Sequence, residues 1–155
     1  MKNLTDYPLL LAQLKAMTES ERDTIANLAN SCALLNMNLA DINWVGFYLI
    51  RDGQLVLGSF QGRPACIRIP LGRGVCGTAA ALDSTQLVPN VHVFPGHIAC
   101  DAASNSEIVI PLHHGGKPAA VLDIDSPLLN RFTGKDKDGL ERYAKLLEDA
   151  CDWKI

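Results

Sequence analysis

No apolar run in this chain approaches the roughly 20 residues that a helix needs to span a bilayer. No secretory signal is expected either, because Asp6 and Pro8 interrupt the continuous apolar core that one requires and no small-residue cleavage site follows. Positive charge is scarce. The formal net charge is -3 and no Lys/Arg cluster is interleaved with aromatics, which argues against nucleic acid as a partner. There is no C-x-x-C pair of the kind that anchors a zinc knuckle, so Cys66, Cys76, Cys100 and His97 are not expected to hold a structural metal. With neither a membrane segment nor a leader expected, the expected location is the cytoplasm. In that reducing compartment five cysteines are expected as thiols, metal ligands or redox residues, not as a structural disulfide frame.

Internal repeats, linkers and biased tracts are absent as well. The 155 residues, 48% of them hydrophobic, suit one domain, 1–155, with a proper core. Gly72-Arg73-Gly74-Val75-Cys76-Gly77 spells G-x-G-x-x-G after an expected strand and before an expected helix. No alternating βαβ series surrounds it and no well-placed acid follows about 20 residues on, so it does not read as a dinucleotide fingerprint. Its glycines suit a tight strand-to-helix turn.

What is present reads as helices flanking hairpins. Leu9, Leu10, Ala12, Leu14 and Met17 form an apolar face, and Thr18-Glu19-Ser20-Glu21 has the pattern of a capping box between two helices. Ile25, Leu28, Ala29, Cys32 and Leu35 continue at the helical period. Asn43–Ile50 and Gln54–Phe60 form a hairpin across Arg51-Asp52-Gly53. A third strand follows near Ala65–Ile69, then a short helix over Gly74–Leu82 and a short strand over Thr85–Val88. The loop from Pro89 to Asn105 is long, the mark of a functional or mobile segment. Ser106–Leu112 and Ala119–Asp125 form a second hairpin whose turn spans His113 to Lys117, and Leu140, Tyr143, Ala144, Leu147, Ala150 and Cys151 trace a closing helix capped at Thr133 or Asp136. This order predicts an α+β domain whose mostly antiparallel central sheet carries the N- and C-terminal helices on one face.

Three cysteines, Cys66, Cys76 and Cys100, fall between Gln61 and Asp101 in sequence that reads as strand ends and loops, where a thiol can meet a ligand. Cys32 and Cys151 lie on apolar helix faces and read as core. Cys100, in G-H-I-A-C-D with His97 close by, is the best candidate for a reactive thiol, and its two companions point to a redox pair. Glu107, Asp123 and Asp125 form a second constellation. Asp123 and Asp125 are two apart on one strand and share a side of the sheet. Asp123 alone reads as a solvated position, but three acids at one end of a hairpin suit an ammonium or a proton donation. Trp44 and Tyr48, four apart on a strand, offer an aromatic wall. His92 is a weak signal, and His113 with His114 reads as a solvated turn.

The stretches N-W-V-G-F-Y, G-S-F-Q-G-R-P-A-C-I-R-I-P, G-R-G-V-C-G-T-A-A, V-P-N-V-H-V-F-P-G-H-I-A-C-D and S-E-I-V-I-P-L with V-L-D-I-D-S-P resemble the free methionine-R-sulfoxide reductases, which are built on a GAF domain. The resemblance runs from about Asp41 to Phe132. It implies that Cys100 is the nucleophile, that Cys66 resolves it through a disulfide, and that Cys76 is an accessory or alternative resolving thiol. It implies that Trp44 and Tyr48 wall the substrate pocket while Glu107, Asp123 and Asp125 bind the amino group and the sulfoxide. The chemistry of a sulfoxide, whose sulfur turns electrophilic when its oxygen is protonated, leads us to expect Asp125 or Glu107 to assist that oxygen. The expected activity is reduction of free L-methionine (R)-S-oxide, with thioredoxin as reductant, no metal or organic cofactor, and a homodimer through the helical face. The competing classes are a GAF-type sensor without turnover, which would lose no thiols on meeting the sulfoxide, and a thiol peroxidase, which would consume peroxide faster.

Overall fold

The computed structural model describes residues 4–98 and 100–155. Two helices open the chain, α1 (Tyr7–Thr18) and α2 (Thr24–Asn38). The hairpin β1 (Trp44–Arg51) and β2 (Gln54–Gln61) follows, then the short edge strand β3 (Arg68–Pro70), helix α3 (Gly74–Leu82) and the short strand β4 (Gln86–Val88). A single 3-10 turn, Val91–Val93, interrupts the long loop before the hairpin β5 (Ser106–His114) and β6 (Lys117–Ser126), and helix α4 (Gly134–Ala150) closes the fold.

The six strands form one sheet in the order β3-β2-β1-β6-β5-β4, and each neighbouring pair is antiparallel. Alternation along β1 divides the interior into two cores. Val45, Phe47 and Leu49 face α1, α2 and α4, where they meet Leu14, Leu28, Leu35, Tyr143 and Leu147. Trp44 and Tyr48 point to the opposite face and pack with Val75, Cys76 and Ala79 of α3. The terminal helices therefore share one face, as the sequence predicts, and α3 covers the other.

The helices bury different residues from those the apolar pattern suggests. In α1 the inward stripe is Tyr7, Leu10, Leu14 and Thr18, while Leu9 and Met17 are exposed. In α2 Ile25 and Ala29 face outward and Asn27 and Ser31 face inward. Polar groups hold the inward positions because each finds a partner: the Tyr7 hydroxyl donates to Asp136 at 2.6 Å, and Ser31 donates to the Tyr143 hydroxyl at 2.9 Å. Helix α2 is capped by Asp23, which accepts from Ala26 N, and not from within Thr18–Glu21. The expected capping box is found instead at Thr133 and Asp136 of α4.

The β5–β6 turn is tighter than expected. Gly115 and Gly116 both take positive φ, +62° and +76°, the conformation a two-residue hairpin turn demands. His113 and His114 thereby join β5, and His113 is no solvated turn residue: its ring nitrogens meet Glu148 at 2.7 Å and Asp83 at 2.5 Å.

Candidate functional site

The sheet face beneath α3 is built from two rows across three central strands. Register pairs Glu107 of β5 with Asp125 of β6 and Asp125 with Trp44 of β1, so two acids and an indole stand in line. The next row is Val109, Asp123 and Gly46. The missing side chain at Gly46 gives the indole its place, since a Cβ there would lie 2.6 Å from the Trp44 ring and 2.4 Å from the Phe60 Cβ. Trp44 stacks on Tyr48 at 6.0 Å and on Phe60 at 5.3 Å between ring centres. A glycine inside an aromatic strand marks such a close approach, and it was the available signal for a position the motif reading passed over.

The aromatic wall also holds the segment that carries Cys66. Trp44 Nε1 donates to the Arg63 carbonyl at 3.1 Å, and the Tyr48 hydroxyl donates to the Cys66 carbonyl at 2.8 Å. Cys66 is disulfide-bonded to Cys100, 34 residues further along. Next to it, Asp101 accepts from Asn43 Nδ2 at 3.0 Å and from Ala103 N at 2.9 Å. The long loop is thus pinned to the start of β1. Asn43, Asp101 and Ser104 form a polar brace that the sequence offers no pattern to reveal.

Cys76 lies within α3, not in a loop. The turn before it is tight, with Gly72 and Gly74 at φ +84° and +63°, and a Cβ at Gly77 would meet the Pro70 carbonyl at 2.5 Å. The glycine run therefore serves a strand-to-helix turn. It seats Cys76 in the interior, with its sulfur 4.0 Å from Glu107 Oε1. Burial, with Asp123 and Glu107 close by, pushes this thiol well above its ordinary pKa, so it keeps its proton at neutral pH.

One cavity gathers these parts. Trp44, Tyr48, Cys76, Cys100, Glu107, Asp123 and Asp125 all line it, together with Arg73, His97 and Ile98. Glu107 and Asp123 are buried, which corrects the view of Asp123 as a solvated residue. Its Oδ1 is buried without a hydrogen-bond partner among the described residues, an acceptor that a donor brought by a ligand can satisfy. Burial raises all three carboxyl pKa values, and mutual repulsion adds to this at Glu107 and Asp125. Burial and repulsion therefore favour the protonated forms of Glu107 and Asp125, while burial opposed by hydrogen bonding moves Asp123 upward. Burial and the nearby His92 lower the pKa of His97, so its ring is neutral.

Donor atoms of Cys76, Glu107 and Asp123 lie within 4.8 Å of one another, a set that includes metal-ligand types. In the grouping considered from sequence, Cys66, Cys76, Cys100 and His97, the sulfurs of Cys66 and Cys100 are bonded to each other. Cys32 and Cys151 are buried free thiols in the helical core, as expected.

The GAF domain family profile matches residues 18–152. The free methionine-R-sulfoxide reductase of Escherichia coli is 54% identical over 142 residues, covering 92% of this chain and 86% of that protein. The structure of fRMsr of Staphylococcus aureus in complex with substrate superposes with a TM-score of 0.93 at 51% identity, over 97% of this chain and 98% of that one. The free methionine-R-sulfoxide reductase of Neisseria meningitidis, also in complex with its substrate, gives a TM-score of 0.91 at 43% identity over 97% and 93%.

The chain belongs to the GAF-domain free methionine-R-sulfoxide reductases.

In this reductase every residue named from sequence as a site candidate, except Cys66, lines the single cavity described above, and Cys66 reaches its edge through the bond to Cys100. The reductase fold supplies the acids from β5 and β6, the aromatics from β1, the interior thiol from α3 and the disulfide from two loops. Among the described residues, no helix is long and apolar enough to cross a membrane.

Proposed function

We propose that this enzyme, working as one domain in a reducing cytoplasm, reduces free methionine (R)-sulfoxide to methionine through Cys100 and Cys66. The observation that carries the reading is the Cys66–Cys100 bond at the edge of a cavity with acids on one side and an indole on the other. The Trp44–Tyr48 wall takes the methyl group and side chain of the substrate. Asp123, with its unpartnered oxygen, takes the ammonium, a cation that a residue inside a peptide lacks.

A sulfoxide sulfur becomes electrophilic when its oxygen receives a proton or a strong hydrogen bond. Glu107 or Asp125, holding a proton at neutral pH by burial, supplies it. The Cys100 thiolate attacks sulfur, the oxygen passes to Cys100 as a sulfenic acid, and methionine leaves. The Cys66 thiol then condenses with the sulfenic acid and water departs. Substrate sulfur gains two electrons, and the two thiols lose them to form the disulfide. Cys76 keeps its proton and serves as a hydrogen-bonding wall to the acids. A dithiol such as thioredoxin restores the pair by exchange. The test is thioredoxin-coupled turnover of free methionine sulfoxide, one epimer at a time. The R epimer is consumed, the S epimer and peptide-bound sulfoxide are not, and Cys100→Ser is inert. Steady turnover by Cys100→Ser would refute the assignment.

A further inference from the structure

Regeneration needs an approach route for the reductant, and the surface beside Cys66 has the composition of one. Ile67, next in sequence, is 67% exposed, although its carbonyl is fixed by a 2.8 Å hydrogen bond from Leu57 N. The backbone holds a large apolar side chain out in water. Close to it in sequence, Arg63, Arg68 and Arg73 are all exposed, and no carboxylate forms an ion pair with any of the three among the described residues. Asp101, the acid beside Cys100, already accepts from Asn43 and Ala103. A chain of net charge -3 thus carries three exposed arginines without ion pairs in the sequence flanking one exposed apolar residue next to its disulfide. An apolar centre inside a charged rim is the anatomy of a transient interface.

We infer that Arg63, Ile67 and Arg68 form the docking surface for the regenerating reductase, and that this partner is a dithiol protein with an acidic rim around its reactive thiol. The inference rests on the redox cycle proposed above. It also assigns the sulfur attacked. Cys100 lines the substrate cavity, whereas Cys66 does not, so the incoming thiolate reaches Cys66 from the arginine side. Attack there forms a partner–Cys66 mixed disulfide and expels Cys100 as a thiolate into the cavity. The partner's second thiol, losing its proton, then attacks the mixed disulfide. Cys66 is released as a thiol, the partner carries the disulfide, and two electrons have moved in all.

The test compares thioredoxin with dithiothreitol as reductant for the wild type and Arg63→Glu/Arg68→Glu. Reversing two rim charges lowers the association rate with an acidic partner and reverses its salt dependence, because salt then screens a repulsion. Thioredoxin-supported kcat/KM therefore falls about tenfold or more, while dithiothreitol-supported turnover is unchanged. A monothiol thioredoxin traps a mixed disulfide that peptide mapping places at Cys66. Wild-type kcat/KM with thioredoxin in the charge-reversed variant, or a trapped bond at Cys100, overturns the inference. If the variant melts early, Arg63→Gln/Arg68→Gln takes its place and a smaller fall in the same direction is expected. If no variant reduces the sulfoxide with either reductant, the proposed reaction fails. The docking surface is then judged by stopped-flow reduction of the Cys66–Cys100 bond by thioredoxin, which needs no substrate and must slow in the charge-reversed protein.

Discussion

Glu107→Gln should make the protein more stable and less active at once. Glu107 is buried, and burial together with Asp123 and Asp125 raises its pKa well above the ordinary carboxylate value. Such a group binds its proton more tightly in the native state than in the unfolded chain, where its pKa is about 4.3. Stability is therefore lost as pH rises from that value through the folded-state pKa, at up to about 1.4 kcal/mol per pH unit for each excess proton held. A glutamine of the same shape carries no charge, and its amide can donate toward the unpartnered Asp123 Oδ1. Sparing the native state the cost of keeping this buried carboxyl protonated at neutral pH is worth on the order of 2 kcal/mol, or about 6 °C in Tm for a chain of this size. The assay is thermal and urea unfolding of the disulfide form from pH 4.5 to 8. The variant should gain most at pH 8, show a shallower decline with pH, and lose about a hundredfold or more in kcat/KM. Unchanged pH dependence with lower stability at neutral pH would refute the reasoning, because Glu107 would then be a satisfied anion and no strained acid.

Three further outcomes follow from the same geometry. Gly46→Ala drives a methyl into the Trp44 ring and Phe60, so denaturation should show a loss of about 1–3 kcal/mol and steady-state kinetics a raised KM. At His113 burial lowers the pKa, but the hydrogen bonds to Asp83 and Glu148 outweigh it and the net shift is upward. The clamp contributes fully below the unfolded value near 6.5 and is lost as pH rises through the folded one; His113→Ala should thus cost no more than about 1 kcal/mol at pH 5.5, given its solvent screening, and less at pH 9. Alkylation of the reduced, folded protein at pH 8 should label Cys66 and Cys100 first. Cys32, pushed up to about 12 by burial, is about one part in ten thousand thiolate there, and mass mapping should find it and Cys76 unlabelled.

The parts of the fold written locally in the chain were legible. Helix α3 runs over Gly74–Leu82 as read, because the glycine turn and the alanine run mark both ends, and both hairpins stand where aromatic and β-branched residues cluster. The helix faces were not legible from apolarity alone. Leu9, Met17 and Ile25 lie outside while Asn27 and Ser31 lie inside, since Glu21 O just before the helix and the distant Tyr143 satisfy the polar groups. The same holds for His113, whose role depends on Asp83 and Glu148, 30 and 35 residues away. At the site, the acids and aromatics could be named because unusual residues stood in apolar strands. The burial of Cys76 and the brace formed by Asn43 could not, since both depend on how α3 and the long loop settle on the sheet.

The central claim is that one sulfoxide is reduced at the expense of two particular thiols. The most direct measurement is a single turnover: fully reduced protein mixed with one equivalent of free methionine (R)-sulfoxide, with no reductant present, followed by thiol counting and peptide mapping. The account predicts one methionine formed, two thiols lost, and a single disulfide joining Cys66 to Cys100. Methionine formed with no loss of thiols, or with a bond between any other pair, would contradict it.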